Sequence, residues 1–412
     1  MKKILQLTLG IMTALGGFVD LGQIVFTMQA GARFGYALLW SIVLGMVAII
    51  LYMEMCGRVA AVAQQPVFAV VRTKLGKRLG FATLVGSNLL NLITCAAELG
   101  AVAIVLHLLF GMPERLALVI GALVLGALVW LLNFQWIERT FGLSGLAMIV
   151  FAVAAWKVHP DWGAAAASLV PQVPAHGGSR ELLLYAYFAV GIFSAMLMEY
   201  EVHFYSSGAI EEGWTAKDLP ENTIVAVSGI VLGSLLTCGL LILGAVVFLP
   251  RSIFPDLLST TVLPVAVPLG AIAVRVALVG VLACVASAAV ETAMSGGYNV
   301  CQFFGLKWHK NRPPREVPFF TGTWVAMLVV GLVLALTGIK PLTLVNFSIV
   351  FGMLIMPLTY YPILKAAGDR QIMGQHVTGK VQQMLGWVFF GIIVIAALAA
   401  FPLMILTHSG QP

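Results

Sequence analysis

Two short stretches of the sequence place charged side chains inside long apolar runs. The first, G-G-F-V-D-L-G-Q-I-V-F, carries a single carboxylate, Asp20, among three glycines. The second, A-M-L-M-E-Y-E-V-H-F-Y-S-S-G, begins at Ala195 and carries Glu199, Glu201 and His203. Carboxylates and imidazoles bind cations and exchange protons, so both stretches are candidates for cation or proton chemistry.

The composition places these charges in a membrane protein. Of the 412 residues, 60% are hydrophobic and only 10% are charged, and the mean hydropathy is +1.00. A soluble domain usually carries about 25% charged residues. Apolar runs of roughly 20 residues, the length that spans a bilayer as a helix, recur along this chain. The net charge of +6 therefore indicates basic loops at a membrane surface and not nucleic-acid binding.

The apolar runs predict an all-α polytopic membrane protein that forms a single membrane domain over residues 1–412. Eleven spans are expected, and the connections at His159–Arg180 and Lys307–Arg315 separate them most clearly. The approximate bounds of the spans are 5–32, 36–57, 82–110, 116–134, 142–157, 183–209, 222–249, 264–300, 318–338, 341–364 and 385–407.

The positions of lysine and arginine predict the orientation of the chain. With the N-terminus in the cytoplasm, sixteen of the 23 Lys and Arg residues fall on the cytoplasmic side and six fall outside, with Arg275 inside the eighth span. Cytoplasmic loops of membrane proteins carry an excess of these residues. Eleven spans with this bias place the C-terminus outside.

Asp20 and its neighbouring glycines predict an interrupted first span. An ionised carboxylate in hydrocarbon costs at least ~2.5 kcal/mol on insertion scales, so such residues usually mark sites or pathways. Gly16, Gly17 and Gly22 each weaken a helix by up to ~1 kcal/mol relative to alanine. The helix can therefore unwind at Asp20 and free backbone carbonyls for a cation. The alternative is a structural carboxylate that is hydrogen-bonded to a neighbouring helix.

The two polar stretches open two blocks of five spans. The sixth span has no glycine or proline between Ala195 and Gly208, so a break there is less evident than the one at Asp20. Irregular helices at the starts of two five-span halves are typical of inverted-repeat transporters. The spacing predicts a first repeat over residues 1–157, a second over 182–365, and an eleventh helix at 385–407.

The sequence contains no motif of an enzyme, an ATP-driven pump or a channel. It has no H-E-x-x-H, G-x-S-x-G or P-loop pattern and no filter-like repeat, and none of its five cysteines form a C-x-x-C pair. We therefore expect a secondary transporter without catalytic residues or a cofactor, for which oligomerisation is not required.

Several segments resemble the Nramp family of proton-coupled divalent-metal transporters. Asp20–Trp40, D-L-G-Q-I-V-F-T-M-Q-A-G-A-R-F-G-Y-A-L-L-W, resembles the family's D-P-G-N motif and its Q-A-G-A-x-F-G-Y-x-L-L-W continuation. Glu98–Pro113 resembles the third span, A-M-L-M with the later Y-S-S resembles the M-P-H region of the sixth, and Asp369–Gly374 resembles the loop after the tenth. The resemblance implies a LeuT-type fold with two inverted five-helix repeats plus an eleventh helix.

The resemblance also implies a metal site with mixed ligands. Carried over by position, the ligands are Asp20, Gln23 in place of the family's Asn, the Ala195 carbonyl and Met198. A thioether favours softer transition metals such as manganese or iron over magnesium or calcium. The implied function is import of a divalent transition-metal cation across a plasma membrane of bacterial type, with the lipid bilayer and protons as further partners.

The chain departs from the family at positions tied to helix breaking and proton movement. Leu21 replaces Pro, so Gly22 has to contribute more to the break. Tyr200 replaces His, and Cys95 replaces an acidic residue three positions before Glu98. These replacements predict weak or absent proton coupling, because a buried thiol or phenol is a poor proton relay near neutral pH.

Further polar groups leave alternatives open. Glu199, Glu201 and Glu291 could form charge pairs with Arg275 or His203. Alternatively, Glu201 and His203 could lie near cytoplasmic water. A changed pocket also keeps a second function open, a LeuT-fold carrier of magnesium, of a small anion or of an amino acid on an Nramp-like scaffold. Candidates for a different proton route, or for supporting the site, are Glu98, Glu199, which replaces the family's Pro, Tyr200, Glu201, His203 and Glu291.

Overall fold

The computed structural model describes residues 19–172 and 178–410, and helices dominate both ranges. Ten helices within these residues are long and apolar enough to cross a membrane. Only the second half of the first predicted span, helix α1 (Leu21–Phe34), is described. Gly16 and Gly17, which were expected to help break this span, lie outside the described residues.

The other long helices follow the predicted spans with shifted ends. They are α2 (Leu39–Ala63), α3 (Val67–Phe110), α4 (Glu114–Leu131), α5 (Phe134–Gly145), α6 (Ile149–Lys157), α7 (Gly178–Ala195), α8 (Glu199–Glu211), α9 (Leu219–Leu243), α10 (Ala271–Phe304), α11 (Pro318–Leu336), α12 (Pro341–Ala367) and α13 (Lys380–Leu406). A 3₁₀ turn at Leu146–Met148 joins α5 to α6 within the fifth span, and a π-helical turn at Gly244–Phe248 extends α9. Short helices occupy Trp162–Ala167, Leu258–Thr261, Ala266–Leu269 and Arg370–Met373.

Helix α3 is longer than the predicted span at 82–110 because it continues through a kink at Gly76. Gly76 has φ 74° and ψ 176°, a conformation that glycine adopts without steric cost. The segment before the kink carries Lys74, whose Nζ lies 2.6 Å from an oxygen of Asp369. This ion pair ties the start of α3 to the turn that follows α12.

Helix α1 runs through the interior of the bundle. Every residue from Val19 to Ala32 is buried. A Cβ on Gly31 would lie 2.1 Å from the Leu241 carbonyl oxygen of α9, so the backbones of α1 and α9 are in direct contact there. Glycine permits this approach, as small residues do at helix contacts within membranes. The polar start of α1 is therefore held deep inside the protein.

Connections predicted on the same side of the membrane contact one another. Beside the Lys74–Asp369 pair, the Lys310 ammonium donates a hydrogen bond to the Leu132 carbonyl at 2.8 Å. At the other end of the bundle, Arg33 pairs with Glu181 at 3.1 Å. These contacts join loops at two ends of the helix bundle.

Candidate functional site

Asp20 lies at a helix end inside the protein. Its backbone is extended, with φ −102° and ψ 179°, and α1 begins at the next residue. Its Oδ1 accepts a hydrogen bond from the Gln23 backbone amide at 2.8 Å, so Asp20 is the N-cap of α1. The side chain is 1% exposed. The backbone at Asp20 is therefore non-helical, as the glycine pattern indicated.

Tyr200 and Leu21 donate hydrogen bonds to the carboxylates at the start of α1. The Tyr200 hydroxyl donates a hydrogen bond to Asp20 Oδ2 at 3.0 Å. The Leu21 amide donates to Glu98 Oε1 of α3 at 3.1 Å, a bond that proline could not make because it has no N–H group. The residues that depart from the family pattern thus contact the site directly.

Gln23 connects α1 to the end of α7. Its side-chain Nε2 donates a hydrogen bond to the Ala195 carbonyl at 3.0 Å. Its Oε1 is buried without a hydrogen-bond partner. A buried amide oxygen without a hydrogen-bond donor costs desolvation free energy, and a cation that binds this oxygen removes that cost. Gln23 therefore keeps one side-chain oxygen without a donor, while its backbone amide bonds to the Asp20 carboxylate.

The sixth span is broken between α7 and α8, although its sequence has no glycine or proline there. Residues 196–198 are not helical. The carbonyls freed by the break find side-chain donors, since Gln23 reaches Ala195 and the Tyr360 hydroxyl reaches Leu197 at 2.8 Å. These contacts from α1 and α12 replace the lost helix bonds, so tertiary structure holds the break open.

Met198 lies at the end of this break, beside α12. Its sulfur is 4.0 Å from the place that a Cβ on Gly352 would occupy. One turn earlier in α12, the Ile349 side chain is 3.3 Å from the equivalent point on Gly22. The start of α1 and the α7–α8 break therefore meet α12 about one turn apart. Gln23 contacts both Asp20 and the Ala195 carbonyl, and the Met198 sulfur lies against Gly352 of α12.

Four carboxylates lie around these breaks without basic partners. Asp20, Glu98, Glu201 and Glu291 are close enough to interact electrostatically, and all are buried. In the part of the chain that the structure describes, none of them forms an ion pair with Lys, Arg or His. Four buried carboxyl groups without a basic partner leave oxygen atoms that a cation could bind.

The structure places Glu201 and His203 inside the protein. Both side chains are buried, at 4% and 1% exposure, and their distance from cytoplasmic water stays a prediction. Neither Glu201 oxygen and neither His203 ring nitrogen has a hydrogen-bond partner. Arg275, the other proposed charge partner, is exposed. Pairing of these acidic groups with His203 or Arg275 is therefore wrong.

The remaining candidates make local contacts. Glu291 accepts a hydrogen bond from Ser287 on the same helix at 2.7 Å. Glu199 accepts one from Thr359 of α12 at 2.8 Å. The Cys95 thiol lies against α10, with its sulfur 3.7 Å from the Ala289 carbonyl. The position where the family carries an acidic residue is thus a packed thiol here.

The donor set differs from a conventional cluster of metal-binding side chains. Across residues 19–172 and 178–410, no three His, Cys, Asp or Glu side chains converge in a metal-binding arrangement. The candidate donors are instead one carboxylate, one amide oxygen, one backbone carbonyl and one thioether. Sequence reasoning missed the contributions of Tyr360 and Thr359, whose only signal was a pair of hydroxyl side chains inside an apolar span.

Comparison with known proteins identifies the family. Residues 10–402 match the sequence profile described as "Natural resistance-associated macrophage protein-like", Nramp. This chain belongs to the Nramp family. It is 26% identical to the Divalent metal cation transporter MntH of Deinococcus radiodurans, over 92% of this chain and 85% of that protein. It is also 26% identical to the MntH of Levilactobacillus brevis, with the same coverage of both chains.

Solved structures confirm the fold. The crystal structure of the Eremococcus coleocola manganese transporter in complex with an aromatic bis-isothiourea compound superposes with a TM-score of 0.79 at 20% identity, covering 96% of this chain and 86% of that one. MhsT in complex with L-phenylalanine superposes with a TM-score of 0.63 at 17% identity, covering 98% of each chain. The predicted Nramp resemblance and LeuT-type fold class are both confirmed.

Proposed function

We propose that this Nramp-family chain is a secondary transporter that imports a divalent transition-metal cation, with manganese and iron as the expected substrates. Asp20, Gln23, the Ala195 carbonyl and Met198 are the proposed ligands. The transported metal is the substrate, and no cofactor and no catalytic residue is required. The names of the MntH relatives support the same substrate class.

The observation that carries this proposal is that the start of α1 meets the α7–α8 break around unpaired acceptors. Gln23 Oε1 lacks a donor, and the Asp20 carboxylate keeps free lone pairs beside it. A cation entering between α1 and the α7–α8 break would exchange water for these oxygens and the Met198 sulfur. The thioether adds little for magnesium or calcium, so it favours softer transition metals.

The acidic surroundings disfavour the second candidate functions. A small anion or the carboxylate of an amino acid would face Asp20, Glu98, Glu201 and Glu291 without a basic side chain to compensate. Magnesium fits the oxygen donors but not the sulfur of Met198.

Proton coupling is proposed to be weak or absent in this chain. The Cys95 thiol packs against α10, and the Tyr200 hydroxyl is engaged with Asp20. A thiol and a phenol at these two positions exchange protons poorly near neutral pH. We further propose repeats at 1–157 and 182–365 with an eleventh helix at 385–407, a cytoplasmic N-terminus and an outer C-terminus in a bacterial-type plasma membrane.

Uptake into proteoliposomes tests the proposed function. The purified chain is reconstituted, and entry of manganese, iron, magnesium and calcium is followed with the internal pH recorded. We expect saturable uptake of manganese and iron that exceeds uptake of magnesium and calcium. Uptake of magnesium alone, or of an amino acid without metal, would replace this proposal with one of the second candidates.

A further inference from the structure

Glu199 is a buried carboxylate that the ligand set above does not use. It is 0% exposed and lies at the first position of α8, next to Met198. The Thr359 hydroxyl donates to its Oε2 at 2.8 Å, and Ser87 of α3 lies beside it without forming a hydrogen bond of ordinary geometry. Within the described residues, no Lys, Arg or His side chain pairs with it.

A stripe of unpaired polar side chains on α3 leads to Glu199. Ser87, Asn91, Thr94 and Glu98 follow the spacing i, i+4, i+7 and i+11, which places them on one face of a helix. All four are buried, at 1% exposure or less. The Ser87 and Thr94 hydroxyls, both Asn91 amide atoms and Glu98 Oε2 have no hydrogen-bond partner.

The two ends of this stripe fix the direction in which it faces. At one end, Glu98 bonds to the Leu21 amide at the start of α1. At the other end, Ser87 lies beside Glu199 at the start of α8. Asn91 and Thr94 lie between these two ends on the same face of α3. A continuous row of polar groups therefore runs from the Asp20 site to Glu199.

We propose that Glu199, Ser87, Asn91 and Thr359 form a second cation position, separate from the Asp20 site and connected to it along α3. This proposal rests on the proposed transport function. The donors are one carboxylate, two hydroxyls and one amide oxygen, so the position takes a divalent cation that binds oxygen ligands, such as Mn²⁺, Mg²⁺ or Ca²⁺. It contains no sulfur, and it therefore does not discriminate among these ions as the Met198 site does.

The neighbouring imidazole is not one of the donors of this position. His203 lies one turn further along α8, and its ring packs edge-on against Phe68 at a centroid distance of 4.9 Å. The ring is held by this aromatic contact, and the proposed position uses oxygen donors alone.

The number of ions bound per chain tests this proposal. The full chain in lipid nanodiscs is equilibrated with Mn²⁺ by dialysis, and bound metal is counted by mass spectrometry. We expect two ions in the unmodified chain, one in Glu199→Gln and one in Asp20→Asn. The ion that remains in Asp20→Asn should be displaced by Mg²⁺ or Ca²⁺ at concentrations within about tenfold of Mn²⁺, whereas the ion in Glu199→Gln should resist them.

Matched variants keep the test decisive. If Glu199→Gln does not fold, Thr359→Val and Asn91→Leu should each weaken binding of the second ion at least about tenfold. Ser234→Ala removes a buried, unpartnered hydroxyl on α9 and should leave both ions bound. One bound ion in the unmodified chain, lost in Asp20→Asn and kept in Glu199→Gln, would overturn the second position and leave the transport proposal intact. No bound ion together with no uptake would overturn both.

Discussion

The hydrogen bond from Tyr200 to Asp20 makes a testable contribution to metal binding. The buried Tyr200 phenol donates a hydrogen bond to Oδ2 at 3.0 Å, and the backbone amide of Gln23 donates one to Oδ1. Each carboxylate oxygen still has lone pairs for a metal, so the two donors can orient Asp20 while the ion binds. Tyr200→Phe removes only the hydroxyl and leaves the ring in place.

The expected size of the effect follows from this geometry. A hydrogen bond to a charged group contributes about 1.5–3 kcal/mol. This bond is present without metal, so only the part of its energy that differs between the metal-bound and metal-free states changes the affinity. Groups that hydrogen-bond to a metal ligand and orient it typically contribute about 10–100-fold to the affinity for the metal. We therefore expect Tyr200→Phe to weaken Mn²⁺ binding by about 10–100-fold.

The assay is Mn²⁺ titration of the purified chain by calorimetry, with the uptake KM as a second readout. The control is Tyr298→Phe, because Tyr298 also donates from a buried phenol to a carboxylate, Glu211, at 3.1 Å, but away from the site. Both variants should lose some thermal stability, and only Tyr200→Phe should lose affinity. Unchanged or tighter Mn²⁺ binding in Tyr200→Phe would refute the orienting role.

The remaining predictions concern the α1–α3 contact, selectivity and coupling. Leu21→Pro should be less stable than Leu21→Ala by about 1–3 kcal/mol in thermal unfolding, because only proline removes the amide that bonds to Glu98; equal stability would contradict this contact. Met198→Ala should let calcium or magnesium compete better against manganese in uptake, and unchanged competition curves would count against thioether ligation. With the voltage clamped, manganese entry should leave the pH of dye-loaded liposomes unchanged and should follow the metal gradient and the potential, at ~2.3 kcal/mol per charge per 100 mV; internal acidification that tracks metal entry would show a rebuilt proton route.

The non-helical backbone at Asp20 could be predicted because its causes are local. Glycines beside a carboxylate weaken the helix wherever the chain is placed, and the Asp20 side chain caps the helix that follows it. The membrane class, the spans and the family resemblance are likewise visible in apolar run lengths and in motif residues.

The break between α7 and α8 could not be predicted from its own residues. No glycine or proline weakens the helix at Met196, and the freed carbonyls are satisfied by Gln23 and Tyr360, which are distant in sequence. The contact of Tyr200 with Asp20 joins positions 180 residues apart for the same reason. Such contacts follow from how the helices pack, which local sequence patterns do not determine.

The polar stripe on α3 lies between these two cases. The spacing of Ser87, Asn91 and Thr94 is present in the sequence, but small polar residues in a membrane helix commonly bond to their own backbone. Their burial without partners becomes evident only when the neighbouring helices are in place.

The central claim is that Asp20 holds a transported metal, and Mn²⁺ uptake by Asp20→Ala tests it most directly. The variant is compared in proteoliposomes with the parent chain and with Asp256→Asn, which changes an exposed carboxylate outside the site. All three proteins should insert and elute as folded species. The account predicts that Asp20→Ala loses nearly all uptake while Asp256→Asn retains it, and uptake by Asp20→Ala equal to that of the parent would contradict the site assignment.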